Sequence, residues 1–145
     1  MDKKALKSYM NKNKRDYLKT NCFKYKDGYL ITDSFSIIKL SKNYDLNIEE
    51  KDLCGLGNFL ENFENNFTNV EYTFDTFEEN EKEYAPIDET FGINIKLCNK
   101  IRKIIKPNRL ISILSNNKDD YMRYIIKLEN TKTNEVAYML PMRKF

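Results

Sequence analysis

Apolar positions along this chain change period several times, and the changes divide it into elements. Leu6, Tyr9, Met10 and Tyr17 fall on one side of a helix predicted over residues 3–19. Lys3, Lys7, Lys12, Lys14, Arg15 and Lys19 occupy the rest of that helix. Residues 22–26 alternate Phe23 and Tyr25 with lysines, which predicts a strand, and Asp27-Gly28 is a hairpin signal. Residues 29–40, rich in aromatic and branched side chains, predict one further strand. Asn47 with Glu50 three residues on reads as the capping box of a second helix. Its apolar stripe is Leu53, Leu56, Leu60, Phe63 and Phe67. Gly55 and Gly57 weaken that helix by up to roughly 1 kcal/mol each relative to Ala.

Val70, Tyr72 and Phe74 alternate with polar residues and predict a strand; residues 76–90 are acidic and read as a loop or irregular edge. Phe91 to Ile95 predicts a short strand leading into a helix over Lys96–Lys106, which Pro107 ends. Leu97, Ile101, Ile104 and Ile105 form the apolar side of that helix, and Lys96, Lys100 and Lys103 form a basic stripe. Strands over 109–115, 121–129 and 135–143 follow, joined by polar turns. The expected organisation is one domain of two halves, about 1–76 and 91–145, with an acidic connector over about 76–90. Each half carries one Lys-rich helix.

Charge sharpens this division. The 145 residues carry 25 Lys and Arg against 22 Asp and Glu, a net +3. Residues 1–42 hold eleven basic and four acidic residues, net +7. Residues 43–90 hold two and fourteen, net −12, and residues 91–145 hold twelve and four, net +8. Such segregation points to a polyanion facing the basic parts or a basic partner facing the acidic part.

Composition narrows the chemistry. With no histidine there is no Ser-His or Cys-His pair, no imidazole base and no His-bearing metal site. Cys22, Cys54 and Cys98 stand far apart, so neither a zinc cage nor a redox dithiol is supported. Reduced thiols, the absence of an apolar leader after Met1-Asp2-Lys3-Lys4 and the absence of a membrane-length apolar run predict a cytoplasmic protein. No glycine-rich phosphate loop exists. Asp88 with Asn94 and Lys96 lacks the Glu that a metal-dependent nuclease core needs before the Lys. The expectation is a binding protein with no cofactor and no metal. Heavy use of Lys (20) and Asn (18) points to AT-rich coding, as in a low-GC bacterium, its phage or a mobile element.

The second half carries a family resemblance. Gly92-Ile93-Asn94-Ile95-Lys96-Leu97 runs into a helix, and near the end stands Met139-Leu140-Pro141-Met142-Arg143, followed by Lys144-Phe145. This resembles the last domain of bacterial DNA polymerase sliding clamps, which has a G-F-N-V-like strand before its final helix and an M-P-M-R-L tail. Leu30-Ile31-Thr32-Asp33 is similar to the clamps' A-T-D-G-H-R-L strand, with Ser34 to Ile37 replacing its second part. The resemblance implies an α+β clamp-like domain of two strand–helix–three-strand units. It further implies a curved antiparallel sheet with basic helices on one side. A DNA-facing helix needs Lys or Arg projecting from one face toward phosphates, without base-reading side chains. Lys96, Lys100 and Lys103 satisfy that need, and Lys3, Lys7 and Arg15 are the candidates in the first half. The resemblance also implies that Leu140, Pro141, Met142 and Arg143 contribute to a cleft for short partner motifs. Met repacks easily around varied peptides.

The expectation is therefore a non-enzymatic, DNA-associated protein that contacts DNA without sequence preference, binds replication or repair proteins, or does both. Clamp rings contain six such domains, so one domain per chain would need a homo-oligomer to encircle DNA. The alternative is a small inhibitor that presents Glu78, Glu79, Glu81 and Glu83 to a nucleic-acid-binding enzyme.

Overall fold

The computed structural model describes residues 1–11, 21–33, 35–46, 50–51, 67–72, 84–86, 91–115 and 124–143. They form a mixed α+β structure. Helix α1 spans Lys3–Asn11. Strands β1 (Asn21–Tyr25), β2 (Gly28–Thr32), β3 (Ser36–Leu40), β4 (Glu50–Lys51) and β5 (Phe67–Tyr72) follow. After β6 (Tyr84–Pro86) and β7 (Phe91–Asn94) comes helix α2, Ile95–Ile105. Strands β8 (Arg109–Ser115), β9 (Tyr124–Asn130), β10 (Glu135–Met139) and β11 (Met142–Arg143) complete the order.

Eight strands form one sheet in the order β4-β1-β2-β3-β10-β9-β8-β5, and β11-β7-β6 form a second. The large sheet is symmetric in topology about the β3–β10 junction. One helix and three antiparallel strands (α1-β1-β2-β3) lie to one side, and α2-β8-β9-β10 mirror them on the other. The mixed α+β class and an antiparallel sheet with helices are as expected. The second half has the full strand–helix–three-strand order, because β7 precedes α2. In the first half, among the described residues, no strand precedes α1.

Period-2 alternation explains how the sheet holds two cores. Ile31, Ile38, Leu110, Ile126 and Ala137 join Leu6 and Tyr9 of α1 and Leu97, Ile101 and Ile104 of α2 in one cluster. Their immediate neighbours Leu30, Ile37, Ile111, Ile125, Val136 and Tyr138 form a second cluster. Successive side chains on a strand point to opposite faces, so the second cluster lies on the face away from the helices. Every residue of β10 is buried, as a strand apolar on both faces requires.

Five expectations need correction or refinement. First, residues 29–40 are two strands. Asp33 Oδ1 accepts from the Phe35 N–H (2.8 Å), the Ser36 N–H (2.7 Å) and the Ser36 hydroxyl (3.0 Å). That local network gives the backbone a turn in place of a ladder. Second, Glu50 does not complete a helix cap. It pairs with Cys22 in a short parallel ladder, with Lys51 beside Phe23, so pairing against β1 overrides the local capping signal. Asn47 lies outside the described residues. Third, Phe67 opens β5 and pairs with Ser115; it is not the end of a helical stripe. Leu53, Leu56, Leu60 and Phe63 lie outside the described residues. Fourth, within the stretch expected to be a loop or an irregular edge, Tyr84–Pro86 forms a short edge strand paired with β7. Fifth, the strand expected over 135–143 breaks at Leu140-Pro141, since proline has no N–H for a ladder, and resumes as β11 in the other sheet.

The β1–β2 hairpin is also displaced by one residue from its signal. Lys26 and Asp27 form the loop, with Lys26 in the left-handed region (φ 51°), while Gly28 already pairs with Tyr25. Gly28 serves a different need. A Cβ there would sit 1.8 Å from the Leu40 carbonyl oxygen, and backbone cannot yield as a flexible side chain can. Beyond the hairpin, the Tyr44 hydroxyl donates to Oε1 of Glu135, which is wholly buried at the start of β10. Burial first, and then that carboxylate, push the Tyr44 phenol up to about 12.

Gly28→Ala is expected to destabilise the fold by at least ~2 kcal/mol, because it forces strand backbones apart. Urea unfolding followed by circular dichroism checks this; a loss under ~0.5 kcal/mol, the range of neutral surface changes, contradicts the close approach.

Candidate nucleic-acid interface

Helix α2 is bounded by explicit chemistry. Asn94 is its N-cap, and its Oδ1 accepts from the Leu97 N–H at 3.0 Å. This cap role accounts for the asparagine where a nuclease core would need Glu. At the other end Lys106 takes the left-handed region (φ 48°) and its N–H donates to the Arg102 carbonyl at 3.0 Å. Asn130 reaches across from β9. Its Nδ2 donates to the Ile105 carbonyl (2.9 Å) and the Lys106 carbonyl (3.1 Å), satisfying carbonyls that the helix itself leaves open. Its Oδ1 accepts from the Lys132 and Thr133 N–H groups in the following turn.

Burial then decides which way the charges face. Ile95, Leu97, Cys98, Ile101, Ile104 and Ile105 are buried against the sheet and α1. Lys96, Asn99, Lys103 and Lys106 are left exposed, with Lys100 and Arg102 half-buried beside them. Helix α1 obeys the same rule. Leu6 and Tyr9 are buried, and Lys3, Lys4, Lys7 and Ser8 are exposed. Asp2 starts α1 with Oδ1 accepting from the Ala5 N–H at 3.1 Å. That hydrogen bond, with Lys106 and Lys4 nearby, holds its carboxyl below the usual range.

The two helices lie against each other on the same side of the sheet. The Asp2 N–H donates to the Ile104 carbonyl at 2.9 Å, so the start of α1 meets the end of α2. Lys3, Lys7, Lys96, Lys100 and Lys103, all expected to face DNA, therefore share one layer. Arg15 lies outside the described residues. Three cations of this layer were missed: Lys4, Arg102 and Lys106. Arg102, Lys103 and Lys106 extend the row from Asn99 at helical spacing, so the signal was present in the sequence. Residues 1–10 and 95–106 together hold eight cations and one acid, Asp2.

A second feature lies at the other end of the helix layer. Phe35, 52% exposed, tops the β2–β3 turn, and its carbonyl accepts from the Leu140 N–H at 2.9 Å. The turn is thus a neighbour of the tail, whose residues the resemblance implies in a partner cleft. Leu140 and Pro141 are half-buried, while Met142 and Arg143 pair by backbone with Gly92 and Phe91. A cleft of about 260 Å³ beside the turn is lined by Asp33, Phe35, Asn94, Lys96, Leu97 and Lys100. The turn is tied to α1 from below. The Tyr9 hydroxyl and Ser36 Oγ are 2.7 Å apart and buried. Burial, and then the Asp33 carboxylate, hold the Tyr9 phenol well above its usual range.

Glu78, Glu79, Glu81 and Glu83 lie outside the described residues. Among the described residues, no group of three or more His, Cys, Asp or Glu side chains could hold a metal ion. Burial pushes the Cys98 thiol up to about 11, which suits a core residue better than a nucleophile. No described helix is long and apolar enough to cross a membrane. The chain matches no family model, no curated protein and no solved structure.

Asn130→Ala is expected to cost about 0.5–1.5 kcal/mol, since it removes the partner of two helix-end carbonyls and two turn N–H groups that are only partly shielded from water. Hydrogen exchange checks the mechanism. Lys132 and Thr133 amides should lose protection before the α2 core does, and unchanged exchange there would refute the bridging role.

Proposed function

We propose that this protein is a non-enzymatic nucleic-acid-associating domain that meets duplex DNA with its helix layer, without sequence preference. The reading is carried by the packing of two helices that bury their apolar stripes in one core. Among the described residues of the layer, 1–10 and 95–106, that leaves eight cations and one acid. The cations are seven Lys and one Arg, and Lys is a strongly hydrated point charge suited to loose phosphate contact. Phosphate neutralisation confers affinity with no base readout. The sliding-clamp resemblance agrees with this role for basic helices.

Fluorescence anisotropy with a labelled duplex tests it. Affinity should fall steeply with salt and be the same for unrelated sequences. Lys96→Gln, Lys100→Gln and Lys103→Gln together should lower the salt slope by roughly 2–3, at about 0.9 for each phosphate no longer neutralised. Undetectable binding at low salt, or a marked sequence preference, would rule the reading out.

The exposed Phe35 supports a second role, binding of a short apolar motif beside the tail. An exposed aromatic flanked by half-buried Leu140 and Pro141 has the form of a small peptide anchor. Phe35→Ser should abolish capture of a partner peptide by the whole protein while leaving its melting temperature and DNA affinity unchanged. Retained capture would remove the turn from the site.

A further inference from the structure

We propose that the groove between α1 and α2 seats a single phosphodiester strand, so that single-stranded and double-stranded nucleic acid use the same site. The inference rests on the reading that the helix layer meets nucleic acid, and it specifies which part of a nucleic acid is gripped.

The groove is open to solvent and has a volume of about 740 Å³. Lys4 and Ser8 line it from α1, and Asn99, Arg102, Lys103 and Lys106 line it from α2. Both walls are therefore cationic. Packed helices have axes roughly 8–10 Å apart, so the furrow along their seam is narrower still and admits one backbone strand at most, not a duplex. From Asn99 to Lys106 the wall runs about 10 Å at 1.5 Å per residue. Successive phosphates of one strand lie farther apart than the roughly 3.4 Å axial rise of a duplex, so that length covers fewer than three phosphates.

The chemistry of the lining fits the backbone and not the bases. Among the described residues, none that lines the groove is aromatic, so they offer a base no stacking platform. The nearby Tyr9 is buried with its hydroxyl on Ser36. Ser8 and Asn99 add neutral polar groups of the kind that contact phosphate oxygens. Among the described residues, four cations against one acid leave the lining at +3. Most carbonyls at the end of α2 are already engaged and do not offset this. The Arg102 carbonyl is taken by the Lys106 N–H, and those of Ile105 and Lys106 are taken by Asn130.

Asp2 is the opposing charge, and it supplies a variant that a structural role cannot mimic. Its side chain caps α1 through the Ala5 N–H. Asn caps a helix as well as Asp does, so Asp2→Asn keeps the cap and removes the negative charge. The substitution should therefore tighten binding.

The test compares oligothymidine with a duplex of equal length by anisotropy, using the full chain at low salt. The two ligands should bind within tenfold of each other. Lys103→Gln with Lys106→Gln should weaken both by tenfold or more. Asp2→Asn should tighten both about two- to fivefold, as gain of roughly one phosphate contact predicts. The control is Lys26→Gln with Lys39→Gln, which removes two charges from around the Tyr25 ring, a residue of the other core, and should change neither affinity. If wild-type protein binds neither ligand, the helix-layer reading fails and the groove fails with it. If duplex binds but oligothymidine is a hundredfold weaker, the groove proposal is wrong and the helix-layer reading stands. The groove proposal is also wrong if Asp2→Asn does not tighten binding, or if the groove and control pairs behave alike. Thermal melts confirm that each variant is folded.

Discussion

The apolar stripe of α2 is the constraint on which the rest of this molecule depends. Ile101 and Ile104 are wholly buried, and each fully buried side chain of that kind contributes about 1.5–3 kcal/mol. Rotating the helix to bury any of its lysines would sacrifice that term and strand a charge without water. The direction of Lys96, Lys103 and Lys106 is therefore a by-product of core packing. The same holds in α1, where Leu6 and Tyr9 point inward and push Lys3, Lys4 and Lys7 out. A surface dense in one sign of charge repels itself. Here it is supported by a core that the charges do not share.

Polar groups then lock the ends of the layer. Asn94 closes one end of α2 and Asn130 the other, while Asp2 starts α1 and its backbone N–H reaches the Ile104 carbonyl. The Tyr9–Ser36–Asp33 chain joins α1 to the turn that carries Phe35, and Phe35 in turn accepts from Leu140. Basic layer, exposed aromatic and tail are thus parts of one hydrogen-bonded framework. DNA contact and partner contact, if both are performed, occur on elements that share a core.

Particular residues show how much could be read in advance. Helix α2 was legible within one residue at each end, because its period is strong and Pro107 follows. Strand β8 was legible over its whole length, and the basic stripe of α2 in large part. Residues 29–40 were not, because the turn is made by a single carboxylate, and Asp33 looks in the sequence like one polar residue in an apolar run. Glu50 misled for the opposite reason. Its spacing from Asn47 is a true local signal, but ladder hydrogen bonds to β1 outcompete it. Of the groove, Lys103 alone had been singled out. Lys4, Arg102 and Lys106 were passed over, since their value comes from the neighbouring helix.

From the sequence alone came the class of the protein: a mixed α+β chain with basic blocks at both ends, with helices whose cations oppose their apolar sides, and no histidine chemistry. Those properties follow from period and composition, which are local. Only the tertiary structure decided that the two helices run side by side, that Asp2 meets the end of α2, and that Phe35 sits on the tail. These juxtapositions depend on β3 pairing with β10 across about a hundred residues of chain. Such pairing is set by the fit of whole buried faces, which no local pattern records.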